Sequence, residues 1–292
     1  MDQAQQLRDI VKQKSQQFIP NAKVITVTSG KGGVGKSNVA VNIAVQMRKC
    51  GKKVIIIDAD FGLANVEVMF GAIPQYNFSD LIYRGKNIRD IITVGPMEIG
   101  FISGGSGVAG VNNLTREQIT YLISNMQQLD QLADVIIIDT GAGIADSVME
   151  FVLASPEVIL VTTPDPSSLT DSYSLLKALY RSPGFQWEER KVKVVSNRVL
   201  STAEGVAVFE KLNTVVGQFL DGHLEYLGML PHDNMLEKAV RQQKPVAILY
   251  PEAKVSKAFE VLTERLLGET DVQFQMKKGI AQLFSSLIYK RK

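Results

Sequence analysis

Short runs of Val, Ile and Leu alternate along the chain with longer stretches in which apolar residues return every three or four positions. The runs predict strands at 23–28, 53–58, 98–102, 134–139, 157–162, 192–196 and 225–230. The periodic stretches predict helices at 36–50, 115–131, 145–154, 167–181, 203–219, 233–242 and 253–267. Runs such as Val54-Ile55-Ile56-Ile57 and Val135-Ile136-Ile137-Ile138 suit parallel strands covered on both faces, where neither side can be polar. The alternation predicts an α/β protein with a doubly wound, mostly parallel sheet flanked by helices on both faces. Its ligand crevice lies beyond the strands' carboxyl ends.

The two ends depart from this pattern. Residues 1–22 are polar and glutamine-rich, yet Ala4, Leu7, Val11, Lys14 and Phe18 fall near helical spacing, which predicts a short amphipathic helix outside the core. At the other end Met276, Ile280, Leu283, Phe284, Leu287 and Ile288 share one helical face, after a linker at Gly268-Glu269-Thr270-Asp271. The chain therefore divides into an amino-terminal helix and linker at 1–22, a central domain at 23–270, and a carboxyl-terminal helix at 271–292.

Composition narrows the choices. At 45% apolar and 21% charged, the 292 residues hold ample core material. A net charge of only +2 gives no global basic field, so nucleic acid is not an expected partner. Charge is nonetheless uneven. Lys277, Lys278, Lys290, Arg291 and Lys292 flank the terminal apolar stripe with no acid among them, leaving the rest of the chain slightly acidic. Such a segment suits an anchor on an anionic membrane surface. A helix docking on its own core has the same pattern, and the two can alternate in one protein. The single cysteine, Cys50, excludes an internal disulfide and a cluster held by paired cysteines, fits a reducing cytosol, and is expected to pack at a helix end. No apolar stretch approaches the length of a membrane span and no signal peptide is visible. His223 and His232 have no neighbour at ligand spacing, so no metal site is expected there. Glycines 104, 105, 107 and 110 predict a flexible loop.

The chemistry concentrates after the first strand. Gly30-Lys31-Gly32-Gly33-Val34-Gly35-Lys36-Ser37 lies between Val24-Ile25-Thr26-Val27 and a helical pattern that takes over at Asn38: the strand, glycine loop and helix of a phosphate-binding P-loop. Glycines let backbone N–H groups wrap an anion, and the helix start adds unpaired donors. Lys36 supplies a point charge for the β and γ phosphates, and the Ser37 hydroxyl is a ligand for Mg²⁺. Asp139, at the end of a buried strand, faces the same crevice as a second candidate for the metal. Asp58 and Asp60 leave the second strand two residues apart and so on one side.

Lys31 is a second lysine in the loop, and its position resembles the signature lysine of MinD/ParA-type ATPases with a deviant Walker A motif. Asp58-Ala59-Asp60-Phe61-Gly62-Leu63-Ala64-Asn65 is similar to that family's first switch, and Asp139-Thr140-Gly141-Ala142-Gly143 to its Walker B strand end and second switch. The motifs keep the family's order over residues 23–267. The resemblance implies an ATPase that binds ATP or ADP with Mg²⁺ and dimerises with ATP. It implies that Lys31 reaches the partner's nucleotide, that Asp60 orients the attacking water, and that Asp58 supports the magnesium shell. Asn197-Arg198 would read adenine, and Pro231-His232-Asp233 matches a family loop near the base. The terminal stripe is similar to MinD's membrane-targeting helix, which implies a cytoplasmic protein reversibly bound to the inner face of the cell membrane.

Asp2, Gln3, Ala4, Leu7 and Arg8 fit the DQAxxLR pattern of the activator helix in FlhG-type proteins (FleN, YlxH), which set flagellar number and placement. That resemblance implies stimulation of the signal-recognition-type GTPase FlhF, with Gln3 entering the partner's site. It also implies contact with flagellar switch-complex proteins of the FliM/FliN/FliY type. A MinD-like division-site regulator and a ParA-like DNA-segregation ATPase are the alternatives.

Overall fold

The Val/Ile runs pair into one eight-stranded sheet. The computed structural model describes residues 22–60, 65–105, 116–183, 185, 191–268, 280, 283 and 284. Strand β1 (Lys23–Ser29) leads through the glycine loop to α1 (Lys36–Lys49), then β2 (Val54–Ala59) and α2 (Asn65–Phe70). Two short helices, α3 (Phe78–Tyr83) and α4 (Ile88–Ile91), precede β3 (Thr93–Val94), a 3₁₀ turn at Pro96–Glu98 and β4 (Gly100–Ile102). Next come α5 (Arg116–Leu132), β5 (Val135–Ala142), α6 (Asp146–Ala154), β6 (Glu157–Thr162) and α7 (Pro166–Tyr180). The last elements in this run are β7 (Lys191–Val199), α8 (Thr202–Leu220), β8 (Glu225–Pro231), α9 (Asn234–Arg241), α10 (Val246–Leu249) and α11 (Lys254–Gly268).

The strand order is β3-β4-β2-β5-β1-β6-β7-β8, parallel except where β3 meets β4. β1 therefore lies between β5 and β6, which sets the P-loop at the centre of the carboxyl edge. Register confirms the stacking: Ile25 pairs with Ile137, and Ile56 with Ile137 across the other side of β5. The period of two then sorts the side chains. Ile56, Ile137 and Val27 pack with Val39, Phe259 and Leu262 of α1 and α11. Ile55, Ile57, Ile136 and Ile138 pack with Leu122, Met126 and Phe151 of α5 and α6 on the opposite face.

Among the described residues of the terminal stripe, Ile280, Leu283 and Phe284 are buried in that second layer. The Phe284 ring stacks on Phe78 at 6.1 Å and meets Phe151 edge-on at 5.8 Å. The Ile280 N–H donates to Asp130 at 3.2 Å. Of the two arrangements the sequence allows, these three residues take the docked one; burying a Phe in this way contributes about 1.5–3 kcal/mol. Met276, Lys277, Lys278, Leu287, Ile288, Lys290, Arg291 and Lys292 lie outside the described residues, as do Asp2, Gln3, Ala4, Leu7 and Arg8.

Three expectations change. The strand expected at 98–102 begins only at Gly100, because Met97 and Glu98 adopt left-handed φ of 56° and 60° and break it. Arg48 holds that turn by donating to the Met97 carbonyl at 2.8 Å and pairing with Glu98. Four short helices, α2, α3, α4 and α10, had no periodic signal. Cys50 sits at the end of α1 as expected, but as an exposed C-cap rather than a packed side chain.

Candidate nucleotide site

β1 delivers the chain to Ser29 fully buried, and the loop turns at once. Gly30 lies against the backbone of α7: a Cβ there would stand 2.1 Å from the Asp171 carbonyl carbon. Gly33 and Gly35 take φ of 74° and 99°, a region open to glycine without strain. α1 then starts at Lys36, whose side chain is buried at the head of the helix with no acidic residue in the first turn to neutralise it. The first amides of α1 and the Lys36 ammonium thus form a positive cradle.

Lys31 turns to its own chain. Its ammonium pairs with Asp165 Oδ2 at 2.9 Å and donates to the Ser167 hydroxyl. Asp165 is the N-cap of α7, and the Lys31 ammonium and Ser167 hold its carboxyl below the ordinary range. Both partners are exposed, so this contact is weak and exchangeable.

Opposite the loop, β2 and β5 place Asp58 and Asp139 side by side as register partners. Asp139 is fully buried, and neither of its oxygens has a hydrogen-bond partner of ordinary geometry. Burial, then the Asp58 charge, push its pKa up to about 7, against the pull of Ser37 and Lys36. An orphaned buried carboxylate beside the Ser37 hydroxyl is a fitting donor set for a hard divalent cation such as Mg²⁺. Asp58 is engaged differently. Its Oδ1 accepts from the Asp60 amide at 3.1 Å, and its Oδ2 from the Asn65 and Val66 amides at 3.0 and 3.1 Å. It caps α2 and ties down the switch backbone. Burial raises its pKa to about 6 even so. Asp60 accepts from the Asn65 side chain at 3.3 Å and lies next to Gly141 of the second switch.

At the ends of β7 and β8, a cleft of about 330 Å³ is lined by Asn38, Asn197, Arg198, Pro231, His232 and Asp233, with Leu236, Glu237, Val240 and Arg241. It gathers the residues read from sequence as the base site. Three of them carry structural bonds. Asp233 caps α9 through the Met235 amide at 2.8 Å and reaches the Val255 amide at 3.2 Å. Asn197 donates to the Val34 carbonyl at 2.7 Å and Arg198 to that of Gly33 at 2.8 Å. Sequence reasoning missed the α9 wall. Its signal was available: apolar 236 and 240 and charged 237 and 241 recur one turn apart just after Pro231-His232-Asp233.

A family model of ParA type, described as NUBPL iron-transfer P-loop NTPase, matches residues 21–267. The antiactivator FleN of Pseudomonas aeruginosa is 39% identical over 244 residues, 84% of this chain and 86% of that protein. The flagellum site-determining protein YlxH of Helicobacter pylori is 33% identical over 280 residues, 92% of this chain and 90% of its own length. Among solved structures, the cell division ATPase MinD of Pyrococcus furiosus superposes with a TM-score of 0.67 at 24% identity, covering 85% of this chain and all of that one.

Proposed function

The chain belongs to the ParA/MinD family of P-loop NTPases, in the branch of FleN and YlxH, and from that premise we propose that it is an ATP-dimerised, membrane-associated switch. In this reading it controls flagellar number or placement and stimulates the GTPase FlhF through residues 1–22. The observation that carries the switch is the docked terminal stripe. Ile280, Leu283 and Phe284, which suit a membrane surface, are buried in one layer, where Phe284 meets Phe151 of the helix that directly follows the second switch. Movement of that switch is then felt by the anchor's seat.

The chemistry follows from the cradle. Lys36 and the amides of the loop bind the β and γ phosphates, and Ser37 and Asp139 would hold Mg²⁺, which supplies neutralising charge on the phosphate oxygens when bound. Asp60 positions the attacking water in line rather than deprotonating it. Lys31 exchanges Asp165 for the nucleotide of a second copy, and dimerisation joins two weak anchors on one membrane.

Size-exclusion chromatography and liposome sedimentation with ATP test this. Asp60→Ala should accumulate as a membrane-bound dimer, Lys31→Ala should stay monomeric and unbound, and deletion of 275–292 should dimerise without pelleting. A Lys31→Ala protein that dimerises fully, or a truncated protein that still pellets, would contradict the reading.

A further inference from the structure

The loop's two central carbonyls are held by side chains from a strand two places away in the sheet. Asn197 Nδ2 donates to Val34 O at 2.7 Å, and Arg198 Nη2 to Gly33 O at 2.8 Å. A trans peptide is planar, with its C=O and the following N–H pointing in opposite directions. Pinning the Gly33 carbonyl outward therefore aims the Val34 N–H inward, and pinning the Val34 carbonyl aims the Gly35 N–H inward. Those are amides at the heart of an anion cradle.

The strand is shaped for this. Successive side chains of a regular strand face opposite ways, so two neighbours do not ordinarily reach one loop. β7 breaks its register with β8 here: Asn197 pairs with Leu230 and Val199 with Pro231, leaving Arg198 as an extra residue. Arg198 takes φ of 58°, a left-handed conformation that costs a non-glycine residue energy. Its own N–H donates to Asn197 Oδ1 at 2.8 Å and orients the buried amide. Gly35 completes the fit, since a Cβ there would stand 2.5 Å from Asn197 Nδ2.

We propose that Asn197 and Arg198 are positioning residues for phosphate: they orient the Val34 and Gly35 amides before any ligand arrives, beyond any contact with the base. The same two side chains line the base cleft, so base occupancy and phosphate geometry are read through one strained bulge. This rests on the nucleotide reading of the site.

A probe with no base separates the two roles. Calorimetric titration compares magnesium tripolyphosphate with magnesium ATP. Arg198→Ala, at an exposed position and checked for folding by circular dichroism, should weaken both by the same factor, about tenfold for one charged hydrogen bond. Asn197→Ala, checked for folding by circular dichroism, should do the same, and Arg198→Lys should recover most of the loss. In the ligand-free variants the Val34 and Gly35 amide resonances should shift. Loss of ATP affinity with tripolyphosphate affinity unchanged would overturn the inference and leave the nucleotide site standing. An unaltered chain that binds ATP but not tripolyphosphate would overturn it too, because the cradle would then not be set in advance. Binding of neither would remove the nucleotide site and the inference together.

Discussion

Asp139→Asn should make the ligand-free protein more stable while disabling it. The side chain is fully buried, and neither oxygen has a hydrogen-bond partner of ordinary geometry, the Ser37 hydroxyl only partly offsetting the burial. Its pKa stands at about 7 against 3.8 for the free group. The sign follows from proton binding. Between those values the folded chain keeps a proton that the unfolded chain has released, so stability falls as pH rises from about 4 to 7 and the loss is complete above that. At about 1.4 kcal/mol per pH unit the buried charge costs about 4 kcal/mol at pH 8, an upper figure that relaxation and entering water reduce. Asparagine keeps the shape and removes the charge. Asp58, also raised, adds a slope in the same direction to both proteins. Urea unfolding without nucleotide, followed by circular dichroism at several pH values, reads the difference. The variant should gain about 2–4 kcal/mol over wild type at pH 8, with the two drawing close near pH 4. Magnesium and ATP should then stabilise wild type by mass action and the variant far less. A variant no more stable than wild type at pH 8, or a difference that does not grow between pH 5 and 8, would refute the reasoning.

Three further outcomes are expected. Asp165→Ala frees Lys31 and should lower the protein concentration needed for ATP-dependent dimerisation about two- to fivefold by analytical ultracentrifugation, a small effect because the pair is exposed. Gly30→Ala drives a methyl group into the α7 backbone and should lower the melting temperature by about 5–10 °C in a differential scanning measurement; an unchanged transition would mean that loop and helix separate freely. Gln3→Ala should hydrolyse ATP and dimerise normally yet fail to stimulate FlhF in a GTPase assay, and normal stimulation would dismiss a glutamine acting in trans.

The strands were legible because Ile56, Ile137 and their neighbours are covered on both faces and admit no polar alternative. The P-loop and the carboxylates at strand ends were legible because phosphate and metal chemistry narrows the residue types. The short helices were not, since four to six residues complete too few turns to show a period. Two nevertheless carried a local sign. Asn77 with Asp80, and Asn87 with Asp90, are capping boxes at three-residue spacing, and both form. What no local pattern held was the use of groups across the sheet. Asn197 was read as a contact for the base, and its amide also bonds across the sheet to the backbone of the glycine loop. Asp58 looked like a metal helper, and three backbone amides claim it. The Asn197 partner comes close only once the strands have stacked, whereas Asp58 holds amides of the turn and helix that follow it. The terminal stripe was ambiguous for another reason: an apolar helical face suits lipid and protein equally.

The exposed Cys50 at the tail of α1 gives the molecule a ready-made spectroscopic handle. It is the sole thiol in the sequence. The helix of 14 residues that separates it from the head at Lys36 spans about 21 Å. A maleimide dye or nitroxide attached there stands clear of the phosphates and requires no engineered cysteine. In the proposed dimer, two such labels would mark the outer ends of two helices whose inner ends face the nucleotide sites. Energy transfer or dipolar coupling between them would time the joining and parting of two copies during turnover, in a chain altered at no position.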